Sequence, residues 1–309
     1  MGSTPPIVVY ALGGNALSSP LNPDGDASDA VLAHVISDVL DLLESNHRVV
    51  LTHGNGPQVG HLLRLESEAV RAGLNSDLGL DIWVAATQGT IGAQLALHLD
   101  AALGSRGRPE RTAVMLTRME VDPDDPGFDT PSKPVGPVLT PEEVFEYDWD
   151  VASTIHGPRR VVASPAPVRI VDFEVLQQLV KLNGVVVCGG GGGIPVIHRE
   201  GYLVGVPAVI DKDRASAHIA ISLEAEAIII STGTDAVYHG FGTDQAQPIR
   251  ELTIEHAREM VASGALPRGS MGPKVEALVD AAEAGLHAII CAPGSAMAAL
   301  RGEAGTRIQ

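Results

Sequence analysis

Apolar and polar residues fall along this chain in blocks. Residues 7–12, Ile-Val-Val-Tyr-Ala-Leu, form an unbroken apolar run, and shorter runs recur at 49–52, 112–116, 185–188, 227–230 and 287–291. Short continuous runs of this kind fit strands buried on both faces. Between them the apolar positions move to three- and four-residue spacing, as at Val31, Leu32, Val35, Ile36, Val39, Leu42 and Leu43. That spacing predicts helices from Asp29 and from Pro57, and over 82–103, 173–182, 217–223, 254–263 and 274–284, with Gly89 and Gly92 as weak points in the longest. Strands separated by helices imply right-handed crossovers and a mainly parallel sheet covered on both faces, the α/β class.

The pattern breaks between 122 and 158. Asp122-Pro123-Asp124-Asp125-Pro126-Gly127 and Pro131-Ser132-Lys133-Pro134-Val135-Gly136-Pro137 hold neither period, which predicts a protruding loop or small subdomain. The acidic run lacks the EF-hand spacing and its closing glutamate, so it reads as solvated rather than as a calcium site.

Charge narrows the classes of partner. A formal net charge of -17 argues against nucleic acid and anionic membranes, both of which need basic surface. No apolar run approaches the roughly 20 residues of a membrane helix. The opening Met1-Gly2-Ser3-Thr4-Pro5-Pro6 lacks a charged region followed by an apolar one, so a cytoplasmic protein is expected, with Cys188 and Cys291 as buried free thiols. Of 21 basic residues only Lys133, Lys181, Lys212 and Lys274 are lysine. Lysine is therefore retained where a compact, flexible point charge is needed. Lys181 is the control, since it falls near a predicted helix C-terminus where any cation is favourable.

The candidate chemistry sits at predicted strand ends. Gly13-Gly14-Asn15, His53-Gly54-Asn55-Gly56, the five glycines 189–193 and Asp211-Lys212-Asp213 each follow an apolar run. In an open parallel sheet such turns gather along one edge, the usual ligand crevice. Any single glycine pair is explained by a tight turn, whereas glycine turns before helix N-termini also suit phosphate oxygens. Neither standard nucleotide fingerprint is present. Asn15 and Asn55 either donate to phosphate or satisfy left-handed turns, and His53 either acts as a base or bonds locally. Lys274 falls at a helix start, where a solvated surface lysine and a functional one remain alternatives. Mobile lysines, adjacent aspartates and glycine turns together are what phosphoryl transfer requires.

With these residues in view, the chain resembles the carbamate kinases of the amino acid kinase family over nearly its whole length. The resemblance is carried by Ala11-Leu-Gly-Gly-Asn-Ala-Leu17, Thr52-His-Gly-Asn-Gly-Pro-Gln-Val-Gly60, Thr87-Gln-Gly89, Lys133-Pro-Val-Gly-Pro137, Arg159-Arg-Val-Val162, Gly190-Gly-Gly-Gly-Ile-Pro-Val196, Ala208-Val-Ile-Asp-Lys-Asp213 and Gly269-Ser-Met-Gly-Pro-Lys-Val-Glu276, in order and spacing. The chain departs from the family pattern at Ser231-Thr-Gly-Thr-Asp235, at Pro207 and at Ile82-Trp-Val-Ala-Ala86.

The resemblance implies a three-layer αβα sandwich around an open, mainly parallel sheet, as a single amino acid kinase domain. Residues 1–215 would form an acceptor lobe with a lid at about 122–158, and 216–309 a nucleotide lobe. It further implies a homodimer and reversible transfer between MgATP and carbamate, giving ADP and carbamoyl phosphate. The same resemblance leaves open a relative that phosphorylates another small carboxylate or carbamate, or a non-catalytic nucleotide sensor. Lys212 and Lys274 would stabilise the transferring phosphoryl group, with Asp213 orienting them and Lys133 on the lid. Gly13, Gly14, Asn15, Gly54, Asn55 and Gly56 would cradle the acceptor. Thr232, Asp235, Val237, Tyr238, Met271, Gly272 and Lys274 would shape the nucleotide site.

Overall fold

The computed structural model describes residues 4–13, 25–74, 78–147, 149–154, 157–182, 184–267 and 270–309. Gly14 and Asn15 of the expected acceptor cradle lie outside the described residues.

The apolar runs assemble into one eight-stranded sheet. In spatial order its strands are Glu251–Leu252, Thr306–Ile308, His287–Cys291, Ala227–Ser231, Ile7–Leu12, Arg48–His53, Val185–Val187 and Thr112–Val114. All neighbouring pairs are parallel except the one between His287–Cys291 and Thr306–Ile308. Successive residues of each run face opposite layers. Val9, Ala11, Val50, Ile228 and Ile230 pack with helices Phe173–Leu182, Lys212–Ser222, Ile254–Ala262 and Met271–Glu283. Val8, Tyr10, Leu12, Leu51 and Ile229 pack with helices Gly25–Glu44, Leu80–Ser105 and Ala296–Leu300. The expected αβα sandwich is therefore the observed one, and it explains why these runs lack polar alternation.

Register decides where the site lies. Leu12 pairs with both His53 and Ser231, and Ser231 pairs with Cys291, so four strands end in one row. The turns opening at Gly13, Gly54 and Gly189 are thereby brought along the carboxyl edge, as the sequence predicted, whereas Asp211-Lys212-Asp213 follows no strand of this sheet, Ala208 making only an isolated bridge to Ala163.

Beyond that edge the segment without a clear period folds after all. Lys133–Val135, Val151–Thr154 and Gly157–Val162 form a small antiparallel sheet, accompanied by the helix Pro141–Glu146. Thr140 and Glu143 make a full capping box with Pro141 at the first turn. That Thr-Pro-Glu-Glu signature was legible in the sequence as a helix start. A second sheet of four strands, Tyr202–Gly205, Ile194–Arg199, Arg118–Val121 and Pro167–Ile170, gave no clear periodic signal because its strands span only four to six residues each. A separate apolar cluster of Val59, Leu63, Leu80, Val84, Val135, Val162 and Val209 joins the small sheet to the helices Gly56–Arg71 and Leu80–Ser105.

Element ends moved by a few residues. The helix expected over 217–223 begins at Lys212, because its first turn buries Lys212 and Asp213 and so carries no apolar stripe.

Candidate active site

A cleft of roughly 620 Å³ opens between the carboxyl edge of the main sheet and the small antiparallel sheet. Gly13, Gly54, Gly191, Thr232, Lys133 and Lys274 are among its lining residues. Three helices begin at this cleft, Gly56–Arg71, Lys212–Ser222 and Met271–Glu283. Their N-termini favour negative charge, and neither the first nor the third has an acid in its opening turn.

Asp211 caps the middle helix, its Oδ1 accepting from the backbone N–H groups of Asp213 at 2.8 Å and Arg214 at 3.3 Å. Its other oxygen, Oδ2, accepts from Lys133 Nζ at 2.5 Å. This ion pair ties the small sheet to the helix. Asp213 divides its carboxylate in the same manner. Lys212 Nζ lies 2.5 Å from Oδ1 and Lys274 Nζ 2.9 Å from Oδ2. Three of the four lysines thus meet two aspartates within one tripeptide. Lys181 stands apart in the last turn of its helix, as the control required.

Burial makes these pairs consequential. Lys212 and Asp213 are 8% and 3% exposed. Burial lowers the Lys212 ammonium pKa, with nearby Lys274 acting in the same direction and Asp213 opposing both. Burial alone would raise the Asp213 carboxyl, but the ammonium charges of Lys212 and Lys274 hold it below the usual range. Asp211 is treated alike: burial pushes its carboxyl up, and Lys133, Lys212 and the Asp213 N–H together hold it below the usual range. The backbone beneath is pinned too. Ser216 Oγ donates to the Lys212 carbonyl at 2.6 Å, so the 2.6 Å contact with Thr52 is donated by Thr52.

Of the residues expected to cradle the acceptor, Gly13, Gly54, Asn55 and Gly56 line the cleft. The Gly13 N–H is given to the Ser231 carbonyl and the Gly54 N–H to the Leu12 carbonyl, each at 3.2 Å. They line the cleft by leaving room rather than by donating into it. Asn55, 3% exposed, donates to Thr87 Oγ1 at 2.9 Å, which in turn donates to the Val84 carbonyl. Gly56 opens its helix, and its carbonyl accepts from Gly136. In the five-glycine run a Cβ on Gly191 would fall 2.2 Å from Asn55 Nδ2, and one on Gly192 would fall 2.1 Å from the Ile210 carbonyl oxygen. The run is glycine because neighbouring side chains and backbone occupy the space where Cβ atoms would sit. His53 is buried, donating from Nδ1 to its neighbour's carbonyl, and desolvation lowers its pKa to about 4.

A smaller apolar recess of about 60 Å³ adjoins the cleft, sharing Thr232, Ser270 and Lys274 with it. Tyr238 and Met271 line it as well, and Asp235 accepts the Tyr238 hydroxyl at 2.7 Å. Val237 and Gly272 are buried behind this wall, with the Val237 N–H given to Thr306. Phe241 and Leu266 also line the recess, and Arg159 lines the main cleft; the sequence reading gave none of the three a role. For Arg159 the signal existed in the Arg-Arg-Val-Val stretch.

Among the described residues no group of three or more His, Cys, Asp or Glu side chains is placed to hold a metal ion. No helix there is long and apolar enough to cross a membrane.

The sequence profile of the amino acid kinase family matches residues 6–292. The chain is 41% identical over 310 residues to the carbamate kinase of Halobacterium salinarum, covering 97% of each. It is 39% identical over 309 residues to the carbamate kinase-like protein YqeA of Escherichia coli, covering 97% of this chain and 98% of that one. The carbamate kinase from Giardia lamblia bound to AMP-PNP matches with a TM-score of 0.86 at 32% identity, with 98% of each chain covered.

Proposed function

The chain belongs to the amino acid kinase family, and from that premise we propose that it is a carbamate kinase, moving a phosphoryl group between carbamoyl phosphate and ADP. The observation that carries this reading is the convergence of Lys133, Lys212 and Lys274 on Asp211 and Asp213 at one cleft. In the direction of ATP synthesis, the bond between phosphorus and the carbamoyl oxygen breaks, and its electron pair leaves on carbamate. A bond forms between phosphorus and a β-phosphate oxygen of ADP. Carbamate then decomposes to ammonia and carbon dioxide.

Such a transition state spreads negative charge over the transferring phosphoryl oxygens. Lys212 and Lys274, oriented by the two oxygens of Asp213, are the cations that meet it. The three helix N-termini add oriented partial charge at no reorganisation cost. The recess around Tyr238, Phe241 and Met271 takes the nucleotide base. Residues 1–215 then act as the acceptor lobe and 216–309 as the nucleotide lobe, with the small antiparallel sheet closing over carbamoyl phosphate.

Magnesium belongs to this reading as part of the nucleotide substrate. Asp211 and Asp213 are both engaged by lysines, so the donors come from nucleotide phosphates and water, the usual coordination for this ion. A cytoplasmic homodimer completes the reading. Val114 and Leu116, at and beyond the sheet's edge strand, and Leu97 on the helix packed there are exposed, and light scattering tests whether a second copy covers them.

Measuring ATP formed from ADP and carbamoyl phosphate decides the reading. Absence of turnover by folded protein would overturn it; turnover with another acyl phosphate alone would favour a relative acting on a different small carboxylate.

A further inference from the structure

Charges around the cleft do not cancel, and the excess reaches the small antiparallel sheet. Three lysines share two carboxylates, which leaves one positive charge. Arg159 adds another. It lines the same cleft from the strand Gly157–Val162, next to the strand that carries Lys133. Among the described residues no carboxylate pairs with its guanidinium; burial pushes its pKa down and nothing nearby opposes that. The adjacent Arg160 is different, lying 4.6 Å over the Trp149 ring and feeling the charges of Glu66 and Asp150.

Arg159 is nonetheless held in place. Its Nε and Nη2 donate to the Gly136 carbonyl at 2.9 and 2.5 Å. Gly136 in turn donates its N–H to the Gly56 carbonyl at 3.2 Å. One edge of the guanidinium is thereby fixed, and its remaining N–H groups have no partner among the described residues. An oriented guanidinium edge matches two phosphate oxygens at once, which an ammonium cannot do. In a chain of net charge -17, a part-buried cation without a carboxylate is held at a cost that an entering anion offsets.

We propose that Arg159 is a further substrate-binding residue, taking the phosphate of carbamoyl phosphate on its free edge beside Lys133. The inference rests on the carbamate kinase reading above. It assigns the acceptor-side phosphate, rather than the nucleotide, to this residue.

The test is steady-state ATP synthesis by the wild-type chain, Arg159→Gln and Arg159→Lys, with carbamoyl phosphate and ADP varied separately. Arg159→Gln is expected to raise the KM for carbamoyl phosphate by about tenfold or more while the KM for ADP stays within about twofold. Arg159→Lys, which keeps the charge but loses the fork, is expected to fall between. Thermal melting and the ADP KM report whether each variant is folded, and Arg159→Lys supplies the reading if Arg159→Gln is not. An unchanged KM for carbamoyl phosphate, or a parallel rise in both KM values, overturns the inference while leaving the proposed function standing. No turnover by the wild-type chain overturns both.

Discussion

Lys133 Nζ and Asp211 Oδ2 lie 2.5 Å apart although 78 residues separate them in the chain. One carboxylate therefore does two jobs, since the other oxygen of Asp211 caps the helix Lys212–Ser222. Substitutions separate these jobs. Asparagine retains a capping oxygen and loses the charge, whereas alanine loses both. Asp211→Ala is expected to be less stable than Asp211→Asn by about 1 kcal/mol, the usual worth of a helix cap. Urea unfolding of both variants checks this.

Asp213, itself buried, separates two ammonium groups. Asp213→Asn leaves Lys212 enclosed without its counter-charge, and removing one partner of a buried pair costs on the order of 3 kcal/mol. Lys212→Ala is expected to lower kcat by roughly a hundredfold or more with a smaller change in KM, as loss of a group acting on the developing charge should. Activity that survives Lys212→Ala would refute the assigned mechanism.

The small antiparallel sheet rests on a glycine contact. A Cβ on Gly60 would lie 1.9 Å from Gly136 Cα, so backbone would have to move. Gly60→Ala is expected to destabilise by about 1–3 kcal/mol and to raise the KM for carbamoyl phosphate by displacing Lys133. Gly104→Ala is the contrast, because nothing lies within 4 Å of its Cβ position. It is expected to gain about 0.5–1 kcal/mol from helix propensity. Chemical denaturation of the pair reads both signs.

His53 provides a pH signature. Its folded pKa is about 4, below the ordinary 6.5, because burial disfavours the charged ring. Between those values the unfolded chain binds the extra proton. Stability from this residue is complete above about pH 6.5 and is lost as pH falls towards 4. The loss is on the order of 3 kcal/mol. His218, also lowered by burial, adds to the same slope, so His53→Gln should flatten the curve without abolishing it. Asp211 and Asp213 act in a lower window, as their stabilisation is lost only below the usual carboxylate range. Unfolding measured from pH 7 to 4 resolves the first window.

The apolar run 7–12 and its counterparts settled the fold class from sequence, because a strand buried on both faces cannot carry polar alternation. The rarity of lysine marked Lys133, Lys212 and Lys274 as sites where a cation is kept for a purpose. The glycine run 189–193 showed the limit of that approach. Its composition fits a phosphate cradle, yet the reason for glycine at Gly191 and Gly192 lies in Asn55 and in the Ile210 carbonyl.

Sequence by itself therefore determined the layers, the edge at which the turns gather, and the residue types available there. Those follow from local periodicity and composition. The pairing of Lys133 with Asp211, the sharing of Asp213 by two lysines and the lack, among the described residues, of a carboxylate partner for Arg159 were decided by tertiary structure alone. Each depends on how strands distant in the chain come into register, and on which charges burial leaves facing one another.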